Sequence, residues 1–234
     1  MSDNRTTVPA APSVVLGLAT FRRPADLERI LPGLIAQAAE LEPRARVVVV
    51  DNDPDAGARD QVSHHAGVTY VHEPKPGIAA ARNAALDAAA EADAIVFVDD
   101  DEEVTEGWLK ALVGCWQTYG CQAVAGPVTT VFDDGEPEPY VRDCGVFDTV
   151  VRPTGTVVPG AATNNLLLDL AWLRAHDLRF DDRFGLSGGS DGLLTRTLTS
   201  RGGEIRWCAE AMVLDHIPGS RTTREWVRHR VARQ

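Results

Sequence analysis

Ala94-Ile95-Val96-Phe97-Val98 runs directly into Asp99-Asp100-Asp101-Glu102-Glu103. The apolar run reads as a strand buried on both faces, the pattern of a parallel sheet covered by helices. The five carboxylates that follow repel one another unless solvent or a cation relieves them. Side chains alternate along an extended chain, so Asp99 and Asp101 project to one side. Two carboxylates on one side suit a hard divalent cation. Mg2+ takes one or two protein carboxylates and completes its shell with water and substrate phosphates. The alternative is a solvated acidic turn before a helix, where acids are favourable anyway.

The same pattern recurs upstream. Val14 to Leu18 is a near-continuous apolar run, followed by Thr20-Phe21-Arg22-Arg23. Pro24 opens a helix, where its missing N–H costs nothing. Leu27, Ile30, Leu31, Leu34, Ile35 and Ala38 follow at helical spacing, and Pro32 inside them predicts a kink or an early break. Val47 to Val50 is a second strand, ending in Asp51-Asn52-Asp53, and Val68 to Val71 is a third. Gly77 to Ala90 is an Ala-rich helix, and Trp108, Leu109, Leu112, Val113 and Trp116 mark another. Strands alternating with helices imply right-handed crossovers and a Rossmann-like, mostly parallel α/β sheet. Ligands bind such sheets at the carboxyl ends of the strands, where all these polar clusters fall.

The second half reads differently. Residues 121–168 carry short β-like runs broken by Gly and Pro. Leu193 to Thr199 and Thr222 to Arg233 are helical, while Ile205 to Cys208 and Ala211 to Leu214 are short strands. The expected organisation is a flexible tail (1–12), a nucleotide-binding half (13–120) and a smaller mixed half (121–234) within one continuous domain. Helical periodicity persists to the last residues, which predicts further chain beyond Gln234.

Composition narrows the function. The 234 residues are 44% apolar and 24% charged, a globular balance, and their net charge of −11 opposes nucleic-acid binding. No apolar run approaches a membrane span, and Met1 to Pro12 lacks the apolar core of a secretory leader. The four cysteines form no CxxC pair and read as free thiols, so a cytoplasmic protein is expected. Residues 221–234 hold five arginines and one glutamate, a basic helix for a phosphate, a membrane surface or solvent.

Several motifs are excluded. No GxGxxG follows the first strand, and no GxxxxGK[ST] or HExxH occurs. Gly185-Leu186-Ser187-Gly188-Gly189 lacks the spacing of a serine-hydrolase elbow. A calcium loop starting at Asp51 fails at its sixth and twelfth positions, Ala56 and Val62. Asp51 and Asn52 can hydrogen-bond a base or ribose, or can serve local turn chemistry.

The ordered set resembles the family 2 glycosyltransferases from about Val14 to Ile217. Ala-Thr-Phe-Arg-Arg-Pro (19–24) resembles the family's opening segment, and Val48-Val49-Val50-Asp51-Asn52 its nucleobase strand. Gly77-Ile78-Ala79-Ala80-Ala81-Arg82-Asn83 is similar to its G-x-x-x-A-R-N helix start. Asp99-Asp100-Asp101 resembles its DxD signature, followed by Gly107-Trp108-Leu109. Asn164-Asn165 before Leu166 resembles its acceptor-half strand, and Gly189-Ser190-Asp191 stands where the family has G-E-D. Ser190 departs from that pattern and bears on acceptor recognition.

The resemblance implies the GT-A fold and inverting transfer from a UDP-, dTDP- or GDP-sugar to an acceptor hydroxyl. It implies a donor site of Thr20, Arg22, Asp51, Asn52, Arg82, Asp99 and Asp100. Asp101 and His216 are expected at a divalent metal, Mg2+ or Mn2+, and Asp191 as catalytic base. A helix N-cap is the structural alternative for Asp191. Trp108 and Trp116 read as core, with Trp172 or Trp207 as candidate sugar platforms. Two other functions compete. A sugar-1-phosphate nucleotidyltransferase wants a Gly-rich loop and a lysine near the first strand, yet the only lysines are Lys75 and Lys110. A non-catalytic nucleotide-sugar-binding module would not need Asp191.

Overall fold

The computed structural model describes residues 6–185 and 189–231. The first half alternates β1 (Val14–Thr20), α1 (Pro24–Ala39), β2 (Arg46–Asp51), α2 (Arg59–Ser63), β3 (Val68–His72), α3 (Ile78–Ala88) and β4 (Ala94–Asp99). Next come β5 (Glu102–Val104), α4 (Trp108–Tyr119), β6 (Ala123–Ala125), β7 (Val128–Phe132), α5 (Pro139–Arg142) and β8 (Val157–Val158). The chain continues through β9 (Asn165–Asp169), α6 (Leu170–Ala175), α7 (Ser190–Ser200), β10 (Ile205–Trp207), β11 (Val213–Ile217) and α8 (Arg224–Val231).

An eight-stranded sheet has the order β3-β2-β1-β4-β9-β6-β10-β8. Its first four strands are parallel, as the buried apolar runs require. β9 enters antiparallel to both β4 and β6. The strand alternation divides the core. Leu16, Leu18, Val47 and Val49 pack under α1 and α4, while Val15, Val48 and Val50 pack under α3. The Ala-rich face of α3 lies close to β1. A Cβ on Gly17 would come within 3.4 Å of the Ala85 methyl.

α1 continues through Pro32 without the expected break. Pro32 and Glu28, whose carbonyl it leaves unbonded, lie on the exposed face, where water can satisfy that carbonyl. The described part of the expected tail is also held. Thr6 N–H donates to the Gly120 carbonyl at 2.8 Å, and Gln117 Nε2 donates to the carbonyls of Pro9 and Ala10. The end expected at Arg233 for the last helix and most of the run 185–189 lie outside the described residues.

A second, three-stranded sheet has the order β5-β11-β7. β4 ends at Asp99 and β5 begins at Glu102, so Asp100-Asp101 bridges the two sheets. Asn165 locks the join from below. It accepts from Trp108 Nε1 at 2.9 Å and donates to the carbonyls of Pro127 and Ala211 at 3.0 and 2.7 Å.

Candidate active site

The carboxyl ends of β1 and β4 open into a cavity of about 710 Å³ that the small sheet closes on another side. This is within the usual size range of a ligand site. Thr20, Asn52, Arg82, Asp99, Asp100 and Asp101 all line it, so six of the ten expected site residues share one space.

The acidic bridge is held by cations. Asp100 accepts from Thr20 Oγ1 and Arg23 Nη1, both at 2.8 Å. Asp101 Oδ2 accepts from Arg23 at 2.8 Å and Arg221 at 3.1 Å. Arg82, buried over the Phe180 ring, reaches Asp99 at 3.3 Å. Burial pushes the Asp100 carboxyl up to about 6, against the pull of Arg23. Burial acts on Asp101 too, but Arg23 and Arg221 together outweigh it and hold that carboxyl down. Burial raises Asp99, against the opposing charge of Arg82 and with help from Asp101. Glu102 is raised well above its ordinary value by burial and by Asp99. Its side chain accepts from the Asp99 N–H and from Asn164 Nδ2, both at 3.0 Å.

The second-strand residues build the wall rather than face the cavity freely. Asn52 Nδ2 donates to the carbonyls of Glu73 and Lys75, and its Oδ1 accepts from Gly77 N–H, all at 2.8 Å. Asp51 is fully buried, away from the cavity lining, and accepts from the N–H groups of Asp53 and Ala58 and from Tyr70 Oη. Arg22 also lies outside the lining. Its side chain is 57% exposed and pairs with Asp53 and Asp55. The cavity arginine of that loop is Arg23, which the sequence reading passed over.

Asp191 lies in the first turn of α7, behind Gly189, which takes the N-cap position with φ +94°. Asp191 is therefore no N-cap; it is not among the residues lining the cavity, and its charge adds only the smallest push to the raised Asp99 carboxyl. The preceding segment is tied to α3 and the loop before it. Lys75 pairs with Asp182, and Asn83 donates to the Phe180 carbonyl at 2.9 Å and to Asp182 at 3.0 Å. Ser190 is buried, and its hydroxyl has no partner among the described residues.

β11 does not bring His216 to the cavity. Its alternation sends Asp215 and Ile217 to the cavity and His216 the other way. His216 is held between Asp133 at 2.8 Å and Glu103 at 3.1 Å. Burial, then the Asp101 charge, pushes Asp215 up to about 6. Among the described residues no group of three or more His, Cys, Asp or Glu side chains forms a metal cage. A cation that keeps most of its shell as water and phosphate needs no such cage. The surplus of carboxylates on one wall, four of them pushed up by burial, fits such a cation. Asp101 and Asp215 are the side chains that could hold it.

The tryptophans redistribute as well. Trp108 and Trp116 are core, as expected, but Trp172 and Trp207 are core too. Trp226 lines the cavity with Phe147. Only the cavity-facing position of α8 could have signalled this, and the sequence does not show which face that is. Among the described residues, no helix is long and apolar enough to cross a membrane.

Comparison with known proteins bears on the fold and the family. The profile of Glycosyl transferase family 2 matches residues 16–168. The succinoglycan biosynthesis protein ExoM of Rhizobium meliloti (strain 1021) is 34% identical over 222 residues, covering 92% of this chain and 70% of ExoM. Among solved structures, S. aureus TarS 1-349 superposes with a TM-score of 0.66 at 16% identity, over 94% of this chain and 65% of that one. A TarS 1-349 complex with UDP-GlcNAc gives 0.66 at 17% identity, over 88% of this chain and 58% of that one. GalNAc-T7 with UDP, GalNAc and Mn2+ gives 0.69 at 12% identity, over 93% and 47%. This chain thus spans less than two thirds of these solved neighbours. At such identities the likeness is one of fold, and that fold is GT-A. With the profile covering most of the chain and ExoM matched along nearly all of it, this protein belongs to glycosyl transferase family 2.

Proposed function

We propose that the chain is an inverting, metal-dependent glycosyltransferase, moving a sugar from a nucleoside-diphosphate sugar to an acceptor hydroxyl. The observation that carries this is the Asp99-Asp100-Asp101 bridge between the two sheets, lining the same cavity as Arg82 and Arg221. The donor lies on the β1, β2 and α3 side, its base near Thr20, Asn52 and Gly77. Arg82 and Arg221 face its diphosphate. Asp99 and Asp100 hold the ribose and donor-sugar region. The UDP, UDP-GlcNAc and Mn2+ in the neighbours' complexes support trying a uridine donor first.

In the reaction the anomeric carbon–oxygen bond to the diphosphate breaks as the acceptor oxygen bonds to that carbon. Attack from the face opposite the leaving group inverts the centre. Asp191 takes the acceptor's proton, work typically worth about 10²–10⁴-fold. Mg2+ or Mn2+ at Asp101 and Asp215 would neutralise charge developing on the leaving diphosphate. A cytoplasmic location belongs to the same reading. Exposed Arg228 on α8 supports peripheral contact with an anionic membrane surface.

The test is nucleoside-diphosphate release from a panel of UDP-, dTDP- and GDP-sugars with Mn2+, for the native protein and Asp191→Asn. Release with one donor, reduced at least a hundredfold in the variant while diphosphate affinity is kept, supports the proposal. Equal release by both proteins overturns the role of Asp191.

A further inference from the structure

The cavity has two kinds of lining. Thr20, Asn52, Gly77 and Arg82 come from the large sheet and its α3 crossover. Phe147, Trp226, Ile217, Arg221 and Arg230 come from the small sheet and the chain around it. The Asp100-Asp101 bridge joins the two sides. A ligand reaching from the donor side past the carboxylates therefore meets this second lining with its far end.

That second side carries an aromatic wall built from three separate elements. Phe132, at the end of β7, meets Phe147 edge-on at 5.3 Å. Phe147 stacks nearly parallel to Trp226 of α8, at 6.0 Å and 14°. Both Phe147 and Trp226 stay half-buried at the cavity, whereas Trp108, Trp116, Trp172 and Trp207 are at most 8% exposed. Large rings left open to a polar cavity forgo burial that would stabilise the fold, at roughly 25 cal/mol per Å². They lie beside polar groups of the same lining: Arg230, and Asn164, whose amide nitrogen already donates to Glu102.

A sugar ring matches this combination. It offers an apolar face of C–H groups to the ring system and a rim of hydroxyls to the guanidinium and amide groups beside it. An acyl chain would offer nothing to Arg230. We propose that Phe147 and Trp226 form the acceptor subsite and that the acceptor is a carbohydrate, seated by one sugar ring on Trp226. The inference rests on the glycosyl-transfer reading above, and its test separates the two.

Saturation-transfer NMR would be recorded with methyl glucoside, methyl galactoside, N-acetylglucosamine, cellobiose and lactose, each with UDP and Mn2+ present. UDP binding is followed in the same samples. At least one sugar should receive saturation at its C–H protons in the native protein and in Trp226→Phe. Trp226→Ala should weaken that sugar at least tenfold while UDP binding is unchanged. Should Trp226→Ala fail to fold, Phe147→Ala carries the same expectation. Bound UDP with no sugar bound, or sugar binding indifferent to both alanine variants, overturns the acceptor subsite alone. Absence of binding by UDP, and by dTDP and GDP tried in its place, removes the donor reading and this inference with it.

Discussion

Arg221 Nη1 lies 3.1 Å from Asp101 Oδ2, the same oxygen that Arg23 holds at 2.8 Å. A side chain from beyond β11 thus neutralises the carboxylate proposed to hold the cation. A metal entering the cavity must compete with it, and Arg221 is then free for the diphosphate. A partly exposed ion pair contributes up to about 1 kcal/mol. Arg221→Ala should therefore bind Mn2+ about two- to fivefold tighter in the donor-free protein, read by electron paramagnetic resonance. It should also bind the diphosphate more weakly. Unchanged or weaker Mn2+ binding would contradict this competition.

Asp215 and His216 should separate cleanly. Asp215→Asn should weaken Mn2+ binding in the presence of a nucleoside diphosphate, and His216→Gln should leave it unchanged. Calorimetric titration of both variants checks this. The reverse pattern would return the metal to His216 and would require β11 to present its other face.

The raised carboxylates give the unliganded protein a specific pH dependence. Asp100 and Asp215 ionise near 6 in the fold, against an ordinary value of 3.8. Between about pH 4 and 6 the folded state binds more protons than the unfolded chain, so this contribution is lost as pH rises through the window. Asp53, Glu138 and Asp181 are held down by arginines and act oppositely, withdrawing support only as pH falls below about 4. Stability should thus be higher at pH 5.5 than at 7.5, and Asp215→Asn should flatten that difference. At pH 7.5 the variant should gain roughly 2–4 °C in Tm, equivalent to about 1 kcal/mol. A Tm that climbs steadily from pH 5.5 to 7.5 would contradict this.

Asn52 should prove structural before it proves ligand-binding. Its amide holds Glu73, Lys75 and Gly77 together, and Asn52→Ala strands a buried N–H. The cost should be about 1–3 kcal/mol, read by urea unfolding. Asn52→Asp should recover little of it, since a carboxylate cannot donate to the two carbonyls. A loss under 0.5 kcal/mol in the alanine variant, a rough surface-substitution scale, would contradict the account.

The first half of the fold was legible because its signals are local. Val47 to Val50 and Ala94 to Val98 announce buried parallel strands, and their polar ends converge by the topology of any such sheet. The second half was not, because its pairings are distant. β9 reaches β4 across some seventy residues, and β11 finds β5 across more than a hundred. Whether Asp215 or His216 faces the cavity depends on that pairing, which no local pattern specifies. The same holds for Arg22 and Arg23. The sequence marked the pair, but only Arg22's φ of +55° and its ties to Asp53 turn it outward. Trp226 takes no role from the sequence because its partner, Phe147, lies in irregular chain.

The central claim is a donor site for a nucleoside diphosphate and a divalent cation. Thermal unfolding with UDP, GDP, dTDP, ADP and CDP, each with and without Mn2+ or Mg2+, tests it most directly. A ligand at about 100 times its dissociation constant adds about 2.7 kcal/mol, or roughly 5–10 °C for a chain of this size. The account predicts such a rise with one of these diphosphates, and only when the metal is present. No rise with any of them, with or without metal, would contradict it.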